Sequence, residues 1–340
     1  MAAVRSFLDR YGLVLVLLAG PVYFAIHDLL VAPHSLVRLG DTLVAGVSNG
    51  AIWALVALGY TLVYGIIELI NFAHGDVFMI GSFVSYGMLG TLGLTLTTGP
   101  LGLVGGLLVT MLVAMLACGS LNVMIERVAY RPLRNAPRLA PLITAVGFSF
   151  ILQNVGELWL GGSQHGVDDL VHAQQDLVRV FGVQIDREDA LAIGVTVPLV
   201  IVMTTFIAQS RLGKAMRATA QDPEAARLMG INVDATISLT FLIGGLLAGA
   251  GGLVYALYQT NIWYFQGFRA GLIAFTAAVM GGIGNIRGAV LGGLIIGCIQ
   301  QLSDNRIGAE WTPVVVFGYL IMIMAFKPQG LMGEEVREAG

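Results

Sequence analysis

The chain has 340 residues, 56% hydrophobic and only 11% charged, with a formal net charge of −3 and a mean hydropathy of +0.82. Soluble domains carry about 25% charged residues, so the composition excludes an ordinary soluble protein and predicts an all-α polytopic membrane protein with about 8–10 transmembrane helices, some short or broken. The near-neutral charge gives no electrostatic footing for nucleic-acid binding. Cys118 and Cys298 both fall inside apolar segments, so no disulfide framework is implied.

Taken in order, the first apolar run covers residues 11–26, follows Arg5 and Arg10, and lacks an evident cleavage site before His27-Asp28. It reads as a spanning helix rather than a signal peptide. Further apolar segments follow at about 43–67, 72–93, 101–125, 139–160, 189–208, 236–258, 270–283, 286–303 and 312–326. Most approach the ~20 residues that a bilayer requires. The pair 270–283 and 286–303 is short and is separated by a glycine-rich turn, Gly281-Gly282-Ile283-Gly284-Asn285-Ile286-Arg287-Gly288. Such breaks are tolerated only where they are buried in protein or line a cavity. Small residues at a spacing of four, Gly245/Gly249 and Gly293/Gly297, predict close helix contacts. A weak internal repeat pairs 43–93 with 270–303, each turning at an Asn followed by Gly, and such repeats flank substrate paths.

Basic residues set the orientation. The loop after 101–125 carries Arg127, Arg131, Arg134 and Arg138, and a central loop carries Arg211, Lys214, Arg217 and Arg227. Between them, 161–188 holds Asp168, Asp169, Asp176, Asp186 and Glu188 against Arg179 and Arg187. Both basic loops are predicted to be cytoplasmic and the acidic one external; ten crossings then leave both termini inside, as expected for a multi-pass membrane protein.

The polar island 209–235 contains Asp222-Pro223-Glu224-Ala225-Ala226-Arg227-Leu228-Met229-Gly230. Asp222 suits an N-cap, Pro223 the first helical position and Gly230 a left-handed terminus. The sequence therefore predicts a helix of about two turns, too short to hold itself in water without a docking surface. It is either an ordinary capped loop or an element that couples to a partner. A second unusual run, 59–76, places Glu68, Asn71, His74 and Asp76 in an apolar setting beside Gly75. Such residues are costly in lipid and face the bundle interior or a pathway. Asn71, His74 and Gly75, together with Gly284 and Asn285 at the other break, are the candidate lining of a translocation path. No second His lies at metal-ligand spacing from His74, and Gly213-Lys214-Ala215 lacks the rest of a phosphate-binding loop. If ATP drives this protein, another chain binds it.

These motifs carry a family resemblance. Glu224-Ala225-Ala226, three residues and Gly230 match the E-A-A-x-x-x-G core by which ABC importer permeases contact their ATPases. The Ile and Leu-Pro that often follow are replaced by Leu239-Thr240-Phe241-Leu242. The run 59–76, the segment Glu126-Arg127-Val128-Ala129-Tyr130-Arg131-Pro132-Leu133-Arg134, the stretch 211–218 and the stretch 275–286 resemble permeases of branched-chain amino acid ABC importers. The resemblance spans about 43–330 and does not extend to the N-terminal segment or the outer loop 161–188. It implies an extra segment and outer loop at 1–42, a permease domain at 43–330 with its coupling loop at 209–235, and a cytoplasmic tail at 331–340. It further implies a non-enzymatic permease subunit that binds no cofactor itself. The implied partners are two ATP-binding subunits that use the ATP, a second related permease, an extracytoplasmic binding protein and membrane lipid, with a branched-chain or related neutral amino acid as substrate. Asp222, Glu224, Ala225, Ala226, Arg227, Leu228 and Gly230 would then form the ATPase-coupling helix. The alternative is an ATP-independent secondary transporter or channel for small polar solutes, in which an acid such as Glu157 couples ions.

Overall fold

The computed structural model describes residues 19–27, 35–134, 136–137, 139–171, 176–180 and 182–333. Residues 19–27 are helical; the rest of the predicted segment 11–26, Arg138 and residues 334–340 lie outside the described residues. The helices are α1 (Ser35–Ile67), α2 (His74–Thr91), α3 (Pro100–Ile125), α4 (Leu139–Leu160), α5 (Arg187–Gln209) and α6 (Arg211–Gln221). They continue with α7 (Pro223–Leu228), α8 (Val233–Gln259), α9 (Gln266–Gly281), α10 (Ile286–Arg306) and α11 (Thr312–Phe326). Six of them, α1, α3, α4, α5, α8 and α10, are long and apolar enough to cross a membrane, and α11 is a shorter apolar helix. The chain is an all-α polytopic membrane protein. Its described strands are two short antiparallel pairs: β1 (His165–Gly166) with β4 (Asn261–Ile262), and β2 (Asp176–Val180) with β3 (Val183–Asp186).

Hydrophobicity and glycine spacing decide which helices are central. α1 and α8 are buried over most of their apolar length, whereas α3 and α5 stand at the perimeter with Leu101, Leu108, Leu112, Ile201 and Val202 facing outward. α1 packs most extensively on α10, and α3 on α8. At the first crossing a Cβ on Gly50 would lie 2.8 Å from the Gly293 carbonyl oxygen. At the second, a Cβ on Gly245 would lie 2.8 Å from Gly119 Cα. The small-residue spacings therefore mark two close helix contacts, where backbone meets backbone.

The internal symmetry differs from the pairing expected from sequence. Exchanging α1, α2 and α3 for α8, α9 and α10 maps the main packings onto one another: α1 on α10 becomes α8 on α3, and α2 on α8 becomes α9 on α1. The true counterpart of α2 is thus α9 rather than α10. Each short helix follows a six-residue break, 68–73 or 260–265. Each break begins at a non-glycine residue with positive φ, Glu68 (54°) or Thr260 (49°), the two such residues among those described. Each ends in the same bond, His74 N–H to the Asn71 carbonyl at 3.0 Å and Gln266 N–H to the Trp263 carbonyl at 3.2 Å. α1 enters its break at the end of the molecule where α8 begins, so the repeat is inverted.

Sequence also underestimated two helices. α1 begins within the stretch expected to be outer loop, and Arg211–Gln221 is a full helix rather than loop. In the latter a Ser210 cap accepts from Gly213 N–H at 2.9 Å. Its apolar residues, spaced for one face, dock Met216 into the core, which overrides its polar composition. The acidic loop 161–188 is anchored to the N-terminal extension of α1: Asp41 of that helix accepts from Gln184 N–H of β3 at 2.7 Å.

Candidate functional site

The N-termini of the short helices α2 and α9 meet inside the bundle. A Cβ on Gly75 would lie 2.6 Å from Gly271 Cα, and one on Gly267 would lie 2.8 Å from both Gly75 O and Asp76 Cα. Only glycine lets the two breaks approach this closely. Asn71 anchors the first break: its side-chain N–H donates to Asn122 Oδ1 at 3.2 Å, and its Oδ1 accepts from the Tyr130 hydroxyl at 3.2 Å. Asn122 in turn donates to the Phe241 carbonyl at 2.6 Å. One buried chain of hydrogen bonds thus ties the break to α3, to the π-helical turn Glu126–Tyr130 and to α8.

His74 is fully buried, edge-on to Tyr60 with ring centroids 4.8 Å apart. Its ring fills the space that the missing side chain of Gly59 leaves. Asp76 is also fully buried and accepts from the Ser149 hydroxyl. That hydroxyl accepts from Gln153 Nε2 at 3.0 Å. A carboxylate in the first turn of α2 faces the positive end of the helix dipole, which favours it there. Asn71, His74 and Gly75 are thus buried among helices, and they line neither of the two cavities described below. Gly284 and Asn285 differ: both line a cavity of about 620 Å³ at the end of the molecule that carries the basic loops, together with Gly65, Ile66, Arg217 and Arg287. Asn285 also caps α10, accepting from Gly288 N–H at 3.0 Å, and donates to the Met332 carbonyl at 2.8 Å.

Beside that cavity stands the helical pair α6–α7. Asp222 Oδ1 accepts from both Glu224 N–H and Ala225 N–H at 2.9 Å, the N-cap expected from sequence. Gly230 adopts φ +81° and closes the helix, with its N–H on the Arg227 carbonyl at 3.0 Å. Of the helix residues only Ala226 is buried. Leu228 is 89% exposed and Met229 82% exposed, and Asp222, Glu224, Ala225 and Arg227 are also on the surface. Arg217 holds the base of the pair to the membrane helix, donating to the Ile207 carbonyl and to the Ala208 carbonyl at 3.4 Å. A cation there satisfies carbonyls left free at the end of α5.

A charge network missed by sequence reasoning joins this region to α3. Arg134 donates to Asp234 at 2.5 Å and to the fully buried Glu126, Arg131 donates to Asp234 at 2.9 Å, and the Ser238 hydroxyl donates to Glu126 at 2.7 Å. The two basic loops consequently meet at one end of the molecule. The spacing of Glu126 and Arg134 in one loop was the available signal; Asp234, the partner that Arg131 and Arg134 share, opens a helix far along the chain. Glu157, the acid considered for ion coupling, is exposed on α4 rather than buried in a path.

The chain matches the family described as branched-chain amino acid transport system, permease component, over residues 42–325. It is 42% identical over 291 residues to the high-affinity branched-chain amino acid transport system permease protein LivH of Escherichia coli, covering 85% of this chain and 93% of that protein. To the corresponding permease protein BraD of Pseudomonas aeruginosa it is 40% identical over 294 residues, covering 86% and 94%. The autoinducer 2 import system permease protein LsrC of Escherichia coli is 27% identical over 299 residues, covering 84% of this chain and 79% of that one. Among solved structures, PsaBC from Streptococcus pneumoniae in complex with Fab aligns with a TM-score of 0.42 at 13% identity, covering 88% and 94%.

Proposed function

The chain belongs to the family of branched-chain amino acid transport system permease components, and from that premise we propose that it forms one half of the translocation path of an ATP-driven importer for branched-chain or related neutral amino acids. In this reading its partners are a second related permease, two ATP-binding subunits and an extracytoplasmic binding protein. The chain itself carries no ATP. The basic end, with Arg131, Arg134, Arg217 and Arg287, faces the cytoplasm by the positive-inside rule.

One observation carries the coupling assignment. A helix capped at both ends presents Leu228 and Met229 almost wholly to solvent at the basic end. Six residues of helix cannot be stable on their own, and apolar side chains so exposed are suited to burial in a partner's groove. α7 follows α6 after the single extended residue Asp222, and Arg217 and Met216 of α6 line the cavity that also holds Gly284 and Asn285. A push on α7 is thus delivered to the wall of that cavity and, through Arg217, to α5. The charge network at Asp234 carries the same displacement to α8 and α3. Packed wall at Asn71, His74 and Gly75 then serves as the fixed element against which the cavity opens and closes.

The test is uptake by the assembled transporter in proteoliposomes. Leucine accumulation should require internal ATP and loaded binding protein, and should persist without any ion gradient. Accumulation driven by a proton or sodium gradient in the absence of ATP would instead establish the secondary-transport reading.

A further inference from the structure

A second cavity, of about 730 Å³, lies at the opposite, acidic end of the molecule, between α1, α8, α9, α10 and the outer loop. Its lining has two electrostatic poles. Arg269, in the first turns of α9, supplies the positive pole, and three carboxylates, Asp169, Glu188 and Asp304, supply the negative one. Two polar side chains point the same way. Gln266 is 2% exposed, and its Oε1 accepts from Trp263 N–H at 3.0 Å, which fixes the amide and leaves the Nε2 donor without a protein partner. Asn49 is 1% exposed, and its Oδ1 acceptor has no protein partner. Both residues line this cavity. Buried polar atoms are almost always satisfied, so each marks a place for a complementary group. The unmet donor sits one turn from Arg269 at the positive end of a helix dipole, where an anion is favoured. An unmet acceptor on α1 calls for a donor. Between them, Trp53, held by its Nε1 donating to Gln300 at 2.8 Å and packed 6.0 Å from Tyr255, offers an aromatic floor.

We propose that this acidic-end cavity is a binding site within the single chain for one free zwitterionic α-amino acid with an aliphatic side chain. Gln266 and Arg269 take the carboxylate, Asn49 and Glu188 take the ammonium, and the side chain lies on Trp53 and Tyr255. The site would receive the amino acid from the outer side before the path opens towards Gly284 and Asn285. The choice of an amino acid as ligand rests on the reading of the chain as a permease for that class; the two-pole geometry rests on the cavity alone.

The experiment titrates the full-length chain in lipid nanodiscs with L-leucine, following tryptophan fluorescence and calorimetry. L-leucine methyl ester, which lacks the carboxylate charge, and 4-methylpentanoate, which lacks the ammonium, serve as the two half-ligands. Leucine should bind saturably, and each half-ligand at least tenfold more weakly. Arg269→Gln, at an exposed position that leaves packing intact, should weaken leucine at least tenfold without changing the ester. Asn49→Ala should weaken leucine but not 4-methylpentanoate. Equal binding of all three ligands, or no leucine binding by chain that remains folded by circular dichroism, overturns the proposal. Uptake by the assembled transporter separates the two levels of the argument. Unchanged leucine uptake in both variants with no leucine binding keeps the functional reading and sinks the site. Saturable, variant-sensitive leucine binding with no ATP-driven amino acid uptake by the assembly keeps the site and sinks the functional reading.

Discussion

Gly75 and Gly267 occupy the same place in the two halves of an inverted repeat, second residue of α2 and second residue of α9, and they pack directly on one another. Two helix N-termini therefore meet inside the bundle with no side chain between them. A valine at either position must displace backbone, and overpacking of this kind costs about 1–3 kcal/mol or more. Gly75→Val and Gly267→Val should lower the thermal unfolding temperature in detergent and abolish uptake. Gly87→Ala, where an added Cβ meets nothing within 4 Å, should change neither quantity.

His74 and Gly59 form a second interlocked pair, because the imidazole occupies the volume a Gly59 side chain would need. Gly59→Ala should destabilise the protein by about 1–3 kcal/mol. His74→Ala leaves a cavity and should destabilise on its own. If the two groups share one space, the double variant should be markedly more stable than the sum of the single losses, a coupling of about 0.5–3 kcal/mol in a double-mutant cycle. Additive losses would show that His74 acts through some other contact.

Much of this architecture is legible in the chain because the bilayer imposes long apolar helices, and the caps at Asp222 and Gly230 are local chemistry. The Glu224-Ala225-Ala226 helix is visible for the same reason: its start, stop and exposed face lie within nine consecutive residues. What stays hidden depends on residues far apart in sequence. The equivalence of α2 and α9 rests on backbone geometry at Glu68 and Thr260, which no side-chain pattern betrays. Arg217 reads as one more basic loop residue until its carbonyl partners on α5 are in place. Asn71 and His74 read as path-lining because polar groups in apolar helices usually are; their burial depends on distant neighbours, Asn122 and Tyr130 at the Asn71 amide and Gly59 beside the His74 ring.

The Glu126–Arg134–Asp234 network ties the two basic loops together, with Glu126 fully buried. Arg134→Met strands a buried carboxylate, a loss of about 3–5 kcal/mol when such a pair is broken from one side. Expression in the membrane should fall sharply. Adding Glu126→Gln should recover much of the stability, since the uncompensated charge is then gone; a double variant no better than the single one would refute the pairing.

The positive-inside rule predicts that the end carrying this network is cytoplasmic. Single cysteines at Ala136, in the loop between α3 and α4, and at Ser163, after α4, should react with a membrane-impermeant maleimide from opposite sides of oriented vesicles. Position 163 should label from outside. Labelling of both positions from one side would contradict the placement of the basic end in the cytoplasm.

The most direct test of the account is the surface of α7. Leu228→Ser and Met229→Ser alter side chains that are 89% and 82% exposed, so the isolated chain should insert, fold and melt as before. Combined in the assembled transporter, they remove the apolar face that the account assigns to the ATP-binding subunits. The measurement is the content of those subunits after purification, together with ATP hydrolysis stimulated by loaded binding protein. Stimulated hydrolysis or subunit content should fall at least tenfold, with insertion of the permease unchanged. Wild-type subunit content and wild-type stimulated hydrolysis in the double variant would contradict it.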